Sequence, residues 1–410
     1  MKHVWILNHY AQTPTGSGAT RHYYFAKNLE AYGWTASIIA ASVEMHTKEQ
    51  RLSKMQLKRL EVINGVPFLW LKTPSYTRNN WRRMLNMLAF GVHAIIPFAT
   101  KYLVRPDAII GSSVHPFAAL AGAIIAWRRH VPFLFEVRDL WPQTLIDMGY
   151  LRPESFVTNI FQHLELWLYK RASTIIAVLP QAYEYIVPLG IAREKIIWIP
   201  NGVDMQAFPQ PRPPTPNPAV FTLMYFGAHG RANGIENTLE AMACLNKLAL
   251  PLPIKLRLIG DGPDKSQLIE KAKTLGLTNV SFEPPVPKSK IPTLAQEADA
   301  FVFNILNLPL YRFGISLNKL FDYMASGRPI IYAGSASNDP VAEAQAGLTV
   351  PPENPQAMAE AIVQLMAMSP ELREEMGGRG RRYVEEKHSF AYLSQKLATA
   401  LDVCTANARE

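Results

Sequence analysis

Gly314-Ile315-Ser316-Leu317-Asn318-Lys319-Leu320-Phe321-Asp322-Tyr323-Met324-Ala325-Ser326-Gly327-Arg328-Pro329 runs straight on into Ile330-Ile331-Tyr332-Ala333. A glycine opens a turn, a short helix follows, a second glycine stops it, and the apolar run behind it reads as a buried strand. That is one half-turn of an α/β fold. The amides at the helix start, with the side chains of Ser316, Asn318 and Lys319, make a natural anion site. Asn318 and Asp322 lie four apart on one face, while Phe321, Met324 and Ala325 can turn inward. Taken alone, the same residues also describe an ordinary helix with a solvated polar face.

Working outward, 410 residues exceed what one core usually serves, so two domains are expected. Nearly half the residues are hydrophobic, and the charge of +9 suits anionic small ligands, acidic lipid or nucleic acid without choosing among them. Cys244 and Cys404 have no pairing or metal-type spacing, which implies a reducing, cytoplasmic setting. The N-terminal Val4-Trp5-Ile6-Leu7 is too short for an export signal and reads as a first strand.

From there the chain alternates. Strand Val4–Leu7, a loop, a helix from Thr20 to Tyr32 and a strand from Thr35 to Ala40 form a βαβ unit. Apolar runs at Pro67–Leu71, Ala108–Gly111, Pro132–Val137 and Thr174–Val178, with helical patterns at Phe117–Arg129 and Ser155–Arg171, extend it. The pattern predicts a doubly wound parallel sheet with ligands at the carboxyl ends of its strands. Three polar groups fall there: Gly16-Ser17-Gly18 with Arg21, then His115, then Arg138-Asp139. A dinucleotide fold is disfavoured, because Arg21 stands where the third glycine would be and the second strand ends without an acid. Taken alone, His115 also reads as a surface imidazole, and Arg138-Asp139 as a local ion pair.

Residues 73–106 contain no acid but carry Arg78, Arg82, Arg83, Lys101 and Arg105. On a helix ended by Pro97, Trp81, Leu85, Leu88, Val92, Ile95, Ala99 and Tyr102 form one stripe. Either the stripe packs into the core, or segment 78–105 is an interfacial patch on the inner face of a membrane.

Prolines 209, 211, 213, 214, 216 and 218 place an interdomain connection just beyond Pro200-Asn201-Gly202-Val203-Asp204. A second α/β alternation then begins at Phe221–Phe226. Its first loop, Gly227-Ala228-His229-Gly230-Arg231-Ala232-Asn233-Gly234, offers amides and one arginine to a phosphate. The expected bounds are an N-terminal α/β domain over 1–203, a C-terminal α/β domain over 204–386, and a helix over 387–410 that crosses back to the first.

Three runs, Glu136 to Pro142, Tyr225 to Gly234 and Gly314 to Pro329, resemble the family 4 retaining glycosyltransferases of GT-B fold, two Rossmann-like domains facing across an interdomain cleft. The first run is similar to members that build bacterial surface polysaccharide such as O-antigen or capsule, fucosaminyltransferase-like ones included. The resemblance implies transfer of a sugar, from a uridine nucleotide in the first instance, to a hydroxyl of a lipid-linked glycan, without a metal or other cofactor. It implies a donor site of Gly16, Ser17, Gly18, Asn201, Gly227, Gly230, Arg231, Val286, Gly314, Ile315, Ser316, Lys319 and Asp322. Arg231 and Lys319 would share the diphosphate, Asp322 would hold the ribose and His115 would touch the sugar. Arg21, Arg138 and Asp139 would face the acceptor. Gly314 occupies the place where many members carry a first acid, and Ala228 and Asn233 fill places usually taken by a basic pair. A sugar-nucleotide epimerase or a non-catalytic nucleotide-sugar binder would use the same architecture. Nucleic acid is not an expected partner, and the protein would work in the cytoplasm, at most peripheral on the inner face of the membrane.

Overall fold

The structure is a computed structural model that describes residues 1–16, 20–45, 47–77, 81–212 and 219–408. Ser17, Gly18, Arg78 and the prolines between 213 and 218 lie outside the described residues.

The chain divides into two α/β units. The first takes Met1–Asn201 together with the stretch from Phe390 onward. Its elements are β1 (Lys2–Leu7), α1 (Arg21–Asn28), β2 (Trp34–Ala41), β3 (Lys58–Ile63), β4 (Val66–Leu71), α2 (Trp81–Ile95), β5 (Ala108–Ser112), α3 (Pro116–Arg129), β6 (Phe133–Val137), α4 (Gln143–Asp147), α5 (Phe156–Arg171), β7 (Thr174–Ala177), α6 (Ala182–Ile186) and β8 (Ile196–Trp198). They form an eight-stranded sheet in the order β3-β4-β2-β1-β5-β6-β7-β8. All its pairs are parallel except β3 with β4. Runs such as Trp5-Ile6-Leu7 and Ile109-Ile110 are buried because helices cover both faces of a parallel sheet.

Packing separates the two faces of helix α2. Asn86, Met87, Phe90, Gly91 and Ala94 are buried, whereas Trp81, Leu85, Leu88 and Val92 are exposed. The part of the sequence stripe from Trp81 to Val92 therefore points away from the core, Ala99 beyond the helix end is buried, and the opposite face of α2 packs on α3.

The second unit, Gly202–Ser389, contains β9 (Phe221–Phe226), α7 (Ile235–Leu245), β10 (Ile254–Ile259), α8 (Lys265–Thr274), β11 (Val280–Glu283), α9 (Ile291–Leu294), β12 (Ala300–Asn304), α10 (Asn318–Ala325), β13 (Ile330–Ala333), α11 (Pro340–Glu343), β14 (Gly347–Val350), α12 (Pro355–Ala367) and α13 (Pro370–Lys387). Its six strands are all parallel, in the order β11-β10-β9-β12-β13-β14. The unit's bounds fall after Asn201 and Ser389 rather than after residues 203 and 386, because Val203 bridges to Ser389 and its N–H bonds to His388 O at 2.9 Å. The last helix, α14 (Phe390–Asn407), contributes Phe390, Leu393, Leu397 and Leu401 to the core of the first unit.

Candidate functional site

In the second unit the polar groups gather where β9 and α10 meet. Lys319, in the first turn of α10, donates to the Tyr225 hydroxyl at 3.1 Å and to Asn233 Oδ1. Its ammonium lies 4.8 Å from the centre of the Tyr225 ring and 5.2 Å from that of Phe303. Loss of water among these groups pulls its pKa down to about 7. Asn233 is itself fixed by donating to Ala228 O at 2.9 Å. Asn233 thus supplies the amide oxygen that anchors Lys319.

One turn further along α10, Asp322 is buried and ion-paired with Lys288. Burial pushes its carboxyl up, and the Lys288 ammonium pulls against that shift. Lys288 sits two residues beyond Val286, in a proline-bounded turn. No sequence motif marks it, so its place beside Asp322 emerges only from the fold.

Gly314 has φ 92° and ψ −179°, a region open essentially to glycine alone. The backbone geometry, not only the missing acid, explains this residue. Asn338 Oδ1 accepts from Ile315 N at 2.6 Å and Asn338 Nδ2 donates to Ile315 O at 3.2 Å, so Ile315's backbone groups are already engaged. Ser316 is buried beside them. Between the glycine loops the backbones touch: a Cβ on Gly260 would come within 1.9 Å of Gly227 O.

Arg231 has different surroundings from Lys319. It is exposed and lines a hollow of about 510 Å³ with Gly230, Glu236, Glu240 and Asp264. Arg231 thus sits among carboxylates, whereas the groups around Lys319 are a phenol and an amide.

In the first unit, Glu136 is the hub at the carboxyl edge of the sheet. Arg21 Nε donates to it at 2.8 Å, His22 Nε2 at 2.7 Å and Ser112 Oγ at 2.6 Å. Burial opposes its charge, but His22 and Arg21 outweigh that and hold its carboxyl well below the usual range. The Asn8 amide lies 2.8 Å from His22 Nδ1, which fixes the tautomer with the proton on Nε2. Arg21 also donates to Ile199 O at 2.8 Å and to Pro200 O. Its guanidinium is fully buried, so the acceptor contact expected of Arg21 is replaced by a structural one. It ties the start of α1 to the end of the unit.

His115 caps α3 with extended backbone and is wholly buried, not a surface imidazole. Its ring meets His9 at 4.6 Å, and neither ring has a hydrogen-bond partner among the described residues. Burial, with His9 and Arg83 nearby, lowers its pKa well below the ordinary value, so it is neutral at pH 7. Arg138 donates its N–H to Ser113 Oγ at 3.2 Å and its Nη2 to Asn201 Oδ1 at 3.4 Å, and Nη1 stays buried without a partner among the described residues. Asp139 keeps exposed surface and makes no ion pair with Arg138 among the described residues, yet desolvation of its carboxyl pushes the pKa up and the nearby Arg138 charge pulls against that shift. Gly16 is half-buried, with its N–H bonded to Thr13 O at 2.9 Å.

Residues 16–202 match the glycosyl transferase 4-like domain, and residues 220–368 match the family described as glycosyl transferases group 1. The chain belongs to the group 1 glycosyltransferases. A probable glycosyltransferase, WbjE of Pseudomonas aeruginosa, is 20% identical over 343 residues, covering 80% of this chain and 82% of its own length. Among solved structures, sucrose-phosphate synthase of Thermosynechococcus elongatus matches with a TM-score of 0.75 at 18% identity, covering 99% of this chain and 100% of its own. Anabaena HepE, solved with UDP and glucose, matches at 0.66 and 16% identity, covering 98% and 99%. These likenesses establish a GT-B glycosyltransferase fold.

In this glycosyltransferase, three neighbours of the expected residues were not visible in the sequence: Tyr225, Lys288 and Asn338. Tyr225 reads as core because it lies within a buried strand, and only the packing of α10 brings Lys319 to its hydroxyl. No group of three or more His, Cys, Asp or Glu residues placed to hold a metal ion occurs among the described residues.

Proposed function

We propose that this glycosyltransferase moves a sugar, with retention, from a uridine diphosphate donor to a hydroxyl of a lipid-linked glycan in bacterial surface-polysaccharide synthesis. The observation that carries the donor reading is the pairing, on one short helix, of an ammonium free of carboxylate partners with a buried carboxylate one turn on. A diphosphate takes the place of the oxygens now around Lys319, aided by the amides at the start of α10. Asp322 accepts from the ribose hydroxyls. HepE was solved with UDP, which supports uridine as the base.

In the reaction, the bond from the anomeric carbon to the β-phosphate oxygen breaks and the electron pair leaves with the diphosphate. The acceptor oxygen bonds to the anomeric carbon on the same face, and its proton passes to the departing phosphate oxygen. Lys319 stabilises the growing negative charge, with exposed Arg231 as a second cation that must turn from its carboxylate-lined hollow. His115 is neutral, so it serves the sugar as a hydrogen-bonding group rather than as an acid. In this reading Gly227, Gly230, Val286 and Ser316 offer backbone to the donor, and Gly16 and Asn201 count to the donor side as well. Arg138 and Asp139 count to the acceptor side, with buried Arg21 a structural tie there. The cationic clamp replaces a metal.

Screening nucleotide sugars for thermal stabilisation identifies the donor, and release of nucleotide that depends on lipid-linked acceptor separates transfer from epimerisation. Lys319→Ala and Asp322→Ala are expected to lower turnover by 10²-fold or more, on the order of 3 kcal/mol of lost transition-state binding. Full activity in both variants rules the assignment out, and an inverted anomeric centre in the product rules out retention.

A further inference from the structure

Helices α2, α3 and α5 lie side by side, α3 packing against both neighbours and against β5 and β6. Each leaves an apolar row uncovered. On α2 it is Trp81 (65% exposed), Leu85, Leu88 and Val92 (59%). On α3, Phe117, Leu120 and Ile124 are half-buried at helical spacing and lead to Trp127 (61%). On α5 it is Phe156 (78%), Val157, Ile160 and Trp167. Beyond α2 the exposed Phe98 and Tyr102 continue the first row, and Lys58 lies 4.0 Å from the Phe98 ring.

The charge on this layer has one sign. The three helices carry Arg82, Arg83, Arg128, Arg129, Lys170 and Arg171. Of these, Arg83 turns to the buried Tyr10 hydroxyl at 3.0 Å and Arg129 lies over buried Trp5, while the other four are exposed. Their single acid, Glu165, is buried. Glu165 accepts from the Tyr169 hydroxyl at 2.7 Å and from Tyr185 at 2.9 Å, so it offers nothing outward. A soluble domain rarely leaves apolar rows on three adjacent helices bare, because that area remains hydrated at full cost. None of the helices among the described residues is long and apolar enough to cross a membrane.

We infer that the outer surface of the α2–α3–α5 layer docks on an anionic phospholipid bilayer. Its rows of Trp, Leu, Phe and Ile enter the headgroup boundary and its arginines meet lipid phosphates. The surface is wider than the 78–105 segment, since α5 supplies a second aromatic corner. Charge decides against a second copy of the chain as the occupant. A symmetric pair of such faces sets arginine against arginine, whereas anionic lipid complements the exposed Arg82, Arg128, Lys170 and Arg171. Docking here would bring the enzyme to an acceptor that is itself held in the membrane. Lipid binding and donor turnover are separate properties, so loss of one leaves the other measurable.

The test is flotation of the full chain with vesicles of phosphatidylcholine alone and of phosphatidylcholine with about one-third phosphatidylglycerol. The wild type is expected to float with the anionic vesicles only, and to dissociate as salt is raised. Leu85→Gln/Leu88→Gln/Val92→Gln on α2 and Arg82→Gln/Arg128→Gln are each expected to lower partition by about tenfold or more, and Phe156→Ser/Ile160→Gln on α5 by several-fold. All these positions are exposed, and unchanged thermal unfolding verifies the fold of each variant. A wild type that stays at the bottom of the gradient overturns the inference. So do variants that float like the wild type, or a concentration-dependent dimer that the α2 variant dissolves in the absence of lipid.

Discussion

Lys319 is held by a phenol hydroxyl, an amide oxygen and two ring faces, and that environment sets its titration near neutral pH. The ordinary lysine value is about 10.4. Between about 7 and that value the unfolded chain holds a proton that the folded chain has released, so the contribution of Lys319 to stability rises with pH across this window. Nucleotide binding runs the other way. A diphosphate stabilises the ammonium, so above pH 7 binding must take up a proton. The affinity for UDP is expected to fall by up to about tenfold per pH unit above neutrality, and Lys319→Arg, which keeps its charge, flattens the curve. Calorimetry from pH 7 to pH 9 in buffers of different ionisation enthalpy measures both the slope and the proton uptake. A wild-type affinity that does not change with pH would mean that Lys319 does not meet the diphosphate. Lys319 and Asp322 could be singled out in the sequence because a helix start writes its donors and acids within a few residues. Tyr225, Lys288 and Asn338 could not, because they arrive from other strands and loops, and contact between distant segments leaves no periodic trace.

At the scale of elements, the helix that opens the sequence reading is held in place by the turn before it. Gly314 enters at φ 92° and ψ −179°, and its N–H bonds to Tyr311 O at 3.0 Å. Placing an acid there is therefore not a gain. Gly314→Glu and Gly314→Ala are expected to lose similar stability, about 1–3 kcal/mol each by urea unfolding, because any Cβ forces the same strain. If Gly314→Glu instead raised donor affinity at unchanged stability, the turn would be tolerant and the backbone account wrong. Buried parallel strands such as Ile109-Ile110 and Phe221–Phe226 were legible because a strand covered on both faces must be apolar throughout. The antiparallel edge strand β3 was not read from Lys58-Arg59-Leu60-Glu61-Val62-Ile63, whose alternation leaves Leu60 and Val62 exposed at the margin of the sheet. Its signal was the adjoining Asn64-Gly65, with φ of 48° and 86°, a turn that joins two strands as a hairpin. The α2 stripe shows a different limit. Periodicity establishes that a helix has an apolar face, but α2 has two, and only packing against α3 decides which one is buried.

For the molecule as a whole, chain order and unit membership part company at the end. Helix α14 follows the second unit in sequence yet is built into the first. Phe390, Leu393, Leu397 and Leu401 sit in the core with Phe25, Leu29, Trp34 and Ile38, and the Phe390 ring stacks on Tyr24 at 4.8 Å. Lys2 reaches Asp402 at 2.7 Å, Trp34 Nε1 donates to the same carboxylate at 3.2 Å, and Lys396 donates to Trp198 O at 2.8 Å, so the helix is tied to the central strands β1 and β2 and to the edge strand β8. Four large apolar side chains at about 1.5–3 kcal/mol each contribute on the order of 6–12 kcal/mol, comparable with the entire stability of a typical domain. A chain ending at Ser389 is therefore expected to lose the first unit while the second, whose core draws no residue from α14, keeps its fold. Limited proteolysis reads the difference directly: cuts spread through residues 1–201, with a resistant fragment from about residue 202 onward. Nucleotide binding that persists in this truncated chain would follow from a donor site built on α10. Equal protease resistance of both units would show that α14 only rests on the first unit and does not complete its core.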